Sequence, residues 1–324
     1  MTHAIRIHTA GGPDALVYEE VTLQNPGPAE ARVRHTAVGV NYIDTYHRSG
    51  LYTLPLPSGL GSEAAGVVEA VGSGVDWVKP GDRVAYCGGP PGSYSTERVM
   101  PADRLVKLPP DIDDRTAATL MLKGLTVQYL FRQTYRLQGG ETILFHAAAG
   151  GVGSIACQWA KALGVTMIGT VGSDEKAKIA KTLGCAQTIV YTRENFVERV
   201  KAITDGKGVP VVYDAVGKDT FPASLDCLSP RGMFVSFGNS SGPVPPLNIM
   251  LLSQKGSLYV CRPTLVTYTA SRANLNAMAD ELFALVKQGK IKSSPSQTFA
   301  LKDAADAHRA LESRATTGAT VLLP

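Results

Sequence analysis

The segment Phe145-His146-Ala147-Ala148-Ala149-Gly150-Gly151-Val152-Gly153 restricts this chain more than any other. A short apolar run, Ile143 to Phe145, leads into it, and a helix-like stretch, Val152 to Leu163, leads out. Strand, glycine-rich turn and helix in that order form the opening of a dinucleotide-binding βαβ unit. Set against G-x-G-x-x-G, the turn offers Ala148, Gly150 and Gly153, with alanine in place of the first glycine. Gly150 lets backbone approach a pyrophosphate. Gly151 and Val152 bring N–H groups to the helix start, and Gly153 lets the helix pack on its strand. The plainer alternative is an ordinary β–α turn.

The segments beyond the turn favour the richer reading. Val165 to Val171 reads as a strand and Glu175 to Leu183 as a helix ended by Gly184. Further strands are expected at Thr188 to Tyr191, Val209 to Val216, Met233 to Phe237 and Ser257 to Val260, with helices at Asn195 to Ile203 and Thr220 to Cys227. Apolar strands separated by helices predict an α/β domain built on a doubly wound parallel (Rossmann) sheet. Asp113 to Tyr135, ahead of it, reads as a helix broken near Gly124.

The end of the second strand selects the cofactor. An NAD site places an acid there, about 20 residues on, to bond the ribose 2′-OH. This chain reads Gly172-Ser173-Asp174-Glu175-Lys176. A small residue at Gly172, the Ser173 hydroxyl and the Lys176 cation suit a 2′-phosphate, so NADPH is expected, with Tyr191 flanking the adenine. Asp174 keeps NAD open, and Ser173 or Asp174 can also be a plain helix cap.

The first ~120 residues differ in texture. Short alternating runs (Ala4 to Ile7, Ala31 to Val38, Ala64 to Val71, Asp82 to Tyr86) lie between dense Gly/Pro turns, which predicts a β-rich, barrel-like domain. The last stretch holds two helices, Ala270 to Gln288 and Lys302 to Glu312, then a strand, Ala319 to Leu323. We read this tail as returning to the first domain. Residues 1–124 and 264–324 then form the catalytic and substrate domain, and residues 125–263 the dinucleotide domain. A length of 324 suits two domains.

Composition removes other classes. With 44% hydrophobic and 19% charged residues the chain is neither disordered nor fibrous. A net charge of +4 is too small for a dedicated nucleic-acid binder. No signal peptide is visible from Met1 to Pro13 and no apolar run approaches the ~18 residues of a membrane span, so a cytoplasmic protein is expected. The five cysteines include no C-x-x-C pair, which gives neither a disulfide framework nor a structural zinc site.

Several segments together carry a family resemblance: Gly39-Val-Asn-Tyr-Ile-Asp-Thr-Tyr46, Arg48-Ser-Gly-Leu-Tyr52, Gly59-Leu-Gly-Ser-Glu-Ala-Ala-Gly66, Lys123-Gly-Leu-Thr126, His146 to Gly153 and Phe237-Gly-Asn-Ser-Ser-Gly242. Through them the chain resembles the zinc-independent, zeta-crystallin-like quinone oxidoreductases of the medium-chain dehydrogenase/reductase superfamily, over essentially its whole length. The resemblance implies a GroES-like catalytic domain, NADPH as cofactor and a quinone as hydride acceptor. It implies Asn41, Tyr46, Tyr52 and Lys123 as catalytic residues, and Thr126, Phe237, Gly238, Asn239, Arg262 and Arg314 as further cofactor contacts. Zinc-dependent relatives carry a cysteine and a G-H-E triplet where this chain has Asn41 and Gly61-Ser62-Glu63, so two ligands are missing and no metal is expected. A conjugated acceptor suits such a site, because hydride addition leaves its charge delocalised. The resemblance also implies a homodimer, paired through the apolar strand near Gly256 to Val260. An enone or alkene reductase on the same scaffold is the nearest alternative. A crystallin-like or RNA-binding role is an alternative of another class.

Overall fold

The computed structural model describes residues 1–314 and 316–324. Contacts divide the chain into two compact units: Met1–Leu125 with Tyr268–Lys287 and Ser293–Pro324, and Thr126–Thr267 with Gln288–Lys292.

Strict alternation shapes the first unit. In β3 (Glu30–Val40) Ala31, Val33, His35 and Ala37 are buried, while the residues between them are half-buried or exposed. Before it come β1 (Thr2–Ile7) and β2 (Val17–Val21); after it come α1 (Tyr42–Ser49), β4 (Ser58–Gly59), β5 (Glu63–Val71), β6 (Arg83–Cys87), β7 (Glu97–Pro101), β8 (Val106–Lys107) and α2 (Asp114–Tyr129). One edge of β3 pairs with β5. The other is shared between β7, along Glu30 to Arg34, and the C-terminal strand Ala319–Leu323, along Val38 to Val40. Strands β2, β1 and β4 form a separate small sheet. The result is a barrel-like, GroES-like β domain whose strand path does not close. Its core joins Ile5, Val33, Val68, Tyr86 and Met100 to Leu301, Ala304 and Leu322 of the chain's tail.

Two local readings change in this unit. The helix expected to break near Gly124 runs through it and ends in a π-helical turn, Leu130–Thr134. Gly124 is a packing residue: a Cβ there would come within 2.6 Å of Leu282. The sequence reading assigns no helix to Tyr42–Ser49, whose aromatic and β-branched residues are poor formers. A capping box between Asn41 and Asp44 starts that helix, and Gly50 ends it at φ 82.

In the second unit the strands are β9 (Thr142–Phe145), β10 (Thr166–Val171), β11 (Gln187–Val190), β12 (Val209–Asp214), β13 (Leu228–Ser236) and β14 (Tyr259–Cys261). Between them lie α3 (Gly151–Ala162), α4 (Asp174–Thr182), α5 (Phe196–Ile203) and α6 (Met250–Gln254). The strands are all parallel, in the order β11-β10-β9-β12-β13-β14. This is the doubly wound order, which reverses between β9 and β12 and binds ligands outside the carboxyl ends of the strands at that point. The expected helix from Thr220 to Cys227 is a short 3-10 turn, Ala223–Cys227. Burial on both sheet faces explains the apolar strands: Leu144, Ile168, Ile189 and Val212 are fully buried together.

After α7 (Leu265–Tyr268) the tail supplies α8 (Arg272–Lys287), β15 (Pro295–Ala300), α9 (Ala304–Glu312) and β16 (Ala319–Leu323). Gln288–Lys292 counts with the second unit, where Gln158 bonds both backbone groups of Lys292, at 3.0 and 2.8 Å.

Candidate functional site

The glycine turn lies at the β9 end of the switch point. Ala147 holds φ 57, a conformation L residues seldom adopt, and so bends the chain back over the sheet edge. Gly150 is the N-cap of α3 and has no side-chain cap, so the N–H groups of the first turn point outward without an internal partner from that cap. Gly153 sits where a Cβ would meet Ala147 O at 2.3 Å and Ala148 Cα at 2.7 Å. The N–H groups of Gly151, Val152 and Gly153, in the first turn of α3, are the donors this turn has for a pyrophosphate, while those of Ala148 and Gly150 go to Thr170 O and Ala147 O, each at 3.0 Å. His146 fixes the turn from below. Its Nδ1 lies 2.9 Å from Thr170 Oγ1 on β10 and its Nε2 3.0 Å from Ser224 Oγ, which in turn donates to Asp214 Oδ2 on β12 at 3.2 Å. Burial holds the His146 pKa below its ordinary value, against the pull of Asp214. The sequence reading missed this clamp; a polar residue straight after a buried strand was its only signal.

Gly172, Ser173, Lys176 and Tyr191 gather at the ends of β10 and β11. A Cβ on Gly172 would stand 2.9 Å from the Tyr191 hydroxyl oxygen. Ser173 is the N-cap of α4, and its Oγ accepts from the Lys176 N–H at 3.3 Å. Past β13, Phe237 donates its N–H to Asp214 O at 2.8 Å, and Gly238 packs against Ala215 O, where a Cβ would lie 2.7 Å away. Asn239 is next in the chain. Arg262 Nη1 donates to Ser236 O at 2.8 Å, so its guanidinium belongs to the same sheet edge. Thr126, buried, opens the second unit on α2. Arg314, exposed and at φ 60, belongs to the first unit just past α9.

In the first unit two of the expected catalytic residues, Asn41 and Lys123, meet at a carboxylate that the sequence reading left out, while Tyr46 and Tyr52 pair with each other. Glu63 is completely buried at the start of β5. Its Oε1 accepts the Leu122 N–H at 2.8 Å, and its Oε2 accepts Lys123 Nζ at 2.8 Å and Asn41 Nδ2 at 2.9 Å. Asn41 also donates to Gly39 O at 3.4 Å, so its amide hydrogens face inward. Tyr46 and Tyr52 stand edge to face, ring centroids 5.2 Å apart, and the Tyr52 N–H donates to Tyr46 O at 3.0 Å.

Below Asn41 runs a buried polar chain. Asp44 Oδ2 accepts from the Asn41 N–H at 2.8 Å and the Tyr94 hydroxyl at 2.9 Å. Tyr94 Oη lies 3.0 Å from His308 Nε2, and Arg48 Nη1 donates to His308 Nδ1 at 2.9 Å. A guanidinium only donates, so Nδ1 accepts, Nε2 carries the proton and gives it to Tyr94, and Tyr94 must donate to Asp44. The other Asp44 oxygen, Oδ1, is buried without a partner. Burial pushes the Asp44 carboxyl up to about 7, against the pull of Asn41, Tyr94 and Lys123. Burial, aided by Arg48, holds His308 down to about 3.

Asn41 and Ser62 are poor zinc ligands, and the Glu63 carboxylate already holds an ammonium. Among the described residues no cluster of three or more His, Cys, Asp or Glu side chains is arranged to take a metal ion.

Two sequence families match: one described as "Zinc-binding dehydrogenase" over residues 151–282, the other as "Alcohol dehydrogenase GroES-like domain" over residues 27–110. A curated quinone oxidoreductase of Pseudomonas aeruginosa is 60% identical over the full length of both chains. The solved structure of Escherichia coli quinone oxidoreductase complexed with NADPH superposes with a TM-score of 0.98, at 53% identity and full coverage of both chains. A 2-haloacrylate reductase of a Burkholderia species is 48% identical over 100% of this chain and 99% of its own.

The buried groups set a pH response. Folding depresses His308, so its stability contribution is whole above the unfolded value near 6.5 and drains as pH falls toward 3. Folding raises Asp44, so its contribution is whole below about 3.8 and is lost as pH rises through 7. Urea melts at stepped pH should therefore show His308→Gln losing stability most at pH 7 to 8 and least near pH 4, and Asp44→Asn the reverse. A stability difference independent of pH in either variant would refute the assignment.

Proposed function

The chain belongs to the quinone oxidoreductases of the medium-chain dehydrogenase/reductase superfamily, and from that premise we propose that it reduces a quinone with NADPH and without a metal ion. The observation that carries this reading is the replacement of a metal donor set by the buried Lys123–Glu63 pair, on a chain whose α3 start is open to a pyrophosphate. Bound NADPH supplies the hydride. Residues 125–263 hold the cofactor, and residues 1–124 with 264–324 present the acceptor. Tyr46 and Tyr52 offer an aromatic wall to a planar ring, and Lys123 places a fixed positive charge near developing oxyanion charge. Asn41, its amide hydrogens turned to Glu63 and Gly39, positions rather than protonates. Gly150 to Gly153 seat the pyrophosphate, while Gly172, Ser173, Lys176 and Tyr191 receive the adenosine 2′-phosphate. Thr126, Phe237 to Asn239, Arg262 and Arg314 complete the cofactor's surroundings. A second reading, reduction of a conjugated alkene, is favoured by the likeness to a 2-haloacrylate reductase.

The outer strand β14 exposes Tyr259 and Val260, with Met250 and Val266 also exposed nearby in the chain. An apolar open edge of this kind is an association liability, and pairing it with a second copy across a two-fold axis removes it. We assign the protein as a cytoplasmic homodimer; among the described residues no helix is long and apolar enough to cross a membrane.

With 1,4-benzoquinone as acceptor, NADPH oxidation should survive exhaustive chelation. Tyr46→Phe and Tyr52→Phe should each lower kcat by less than about tenfold, short of the 10²–10⁴ owed to a general acid. A loss of three orders of magnitude in either would identify a true proton donor. Lys176→Ala should weaken NADPH by roughly 10–100-fold and leave NADH nearly unchanged; equal losses would remove the 2′-phosphate site. Light scattering at micromolar concentration should give a dimer mass, and a monomer would refute the β14 pairing.

A further inference from the structure

Asp174 stands one residue past the α4 cap, three residues beyond the end of β10. An acid in that place ordinarily favours a free ribose 2′-OH and repels a 2′-phosphate. Here the carboxylate faces a guanidinium from the next turn. Arg193 Nη1 lies 2.5 Å from Asp174 Oδ2 and Nη2 2.6 Å from Oδ1, a two-pronged pair in the open, each side chain more than half exposed. The turn that carries Arg193 is stitched in place. Tyr191 N–H donates to Val171 O at 3.1 Å, Thr192 Oγ1 to Gly172 O at 3.3 Å, and Arg193 N–H to Val190 O at 3.1 Å. The Glu194 carboxylate accepts the Val190 N–H at 2.8 Å and closes the turn. Arg193 therefore meets Asp174 from a fixed backbone. Arginine keeps its charge at every working pH and matches a carboxylate with parallel donors. The pair holds the Asp174 carboxyl below its ordinary pKa, so it stays ionised and masked.

We propose that Arg193 sets cofactor preference by masking the Asp174 carboxylate, so that a position carrying an NAD-type acid accepts a 2′-phosphate. The inference rests on the proposed 2′-phosphate site at Gly172 to Lys176. It makes Arg193 a specificity-determining residue that acts through Asp174 rather than by touching the phosphate. Ion pairs this exposed contribute little to stability, so the pair is free to serve recognition. Removing Arg193 alone would leave a bare carboxylate beside the phosphate, whereas removing both partners would not.

The test is a double-mutant cycle in the full-length protein, with kcat/KM for NADPH and NADH read against fixed 1,4-benzoquinone. Arg193→Ala should lower kcat/KM for NADPH by about three- to tenfold and change NADH by less than about twofold. The Arg193→Ala/Asp174→Asn double variant should return NADPH to within about twofold of wild type. In about 0.5 M KCl the gap between Arg193→Ala and wild type should shrink, because exposed charges are screened. Failure of Asp174→Asn to restore NADPH would overturn the inference and place Arg193 on the phosphate directly. Equal losses for both cofactors in Arg193→Ala would overturn it as well. Lys176→Ala, measured alongside, separates the two levels. If Lys176 discriminates between the cofactors and the Arg193 cycle does not, only the masking role fails. If neither does, the phosphate site itself is misplaced.

Discussion

The first unit depends on one buried carboxylate. Glu63 gathers the Leu122 backbone and the Lys123 ammonium from α2 and the Asn41 amide from the start of α1. The approach is close enough that a Cβ on Gly39 would stand 2.3 Å from Glu63 Oε2. Removing one partner from such a pair strands the other as a buried charge, at a cost of about 3–5 kcal/mol. The cluster therefore fixes the start of α1, the start of β5 and the middle of α2 relative to one another. The same geometry bears on metal binding. An ammonium, an amide and a backbone N–H already occupy the carboxylate oxygens, so Glu63 is not offered as a metal ligand.

The polar chain beneath Asn41 extends that order outward. Each bond in it has only one allowed sense, because Arg48 cannot accept and so orients His308, Tyr94 and finally Asp44. Arg48 is anchored in turn by two bonds to Glu312, at 2.7 and 3.1 Å. The C-terminal helix α9 thus reaches, through side chains alone, the residue that caps α1. This is why α9 belongs to the first unit in energetic as well as topological terms.

Much of this architecture was legible in local pattern. Apolar strands, the glycine turn and the spacing of helices were enough for the doubly wound sheet, and dense turns among alternating strands were enough for the β-rich domain. Legibility ended where a residue's reason lies far along the chain. Gly124 looks like a helix breaker until Leu282 is seen against it. Helix α1 has poor intrinsic propensity and is set by its caps and by Asp44. Glu63, Asp44, His308 and the His146 clamp find their partners far along the chain, and sequence alone does not say which polar residues a core will pair.

The β10–α4 turn shows the same limit at the cofactor end. Taken locally, Ser173 and Asp174 are ambiguous: caps, an NAD-type acid or part of a phosphate site. The structure gives each a definite partner. Ser173 accepts the Lys176 N–H as the cap, and Asp174 meets Arg193, 19 residues away, across the ends of neighbouring parallel strands. Parallel pairing makes that meeting inevitable. With Val171 beside Val190, the turn leaving β10 must face the turn leaving β11. The charge presented at this edge is thus a property of two turns together, and a motif confined to the first turn reads only half of it.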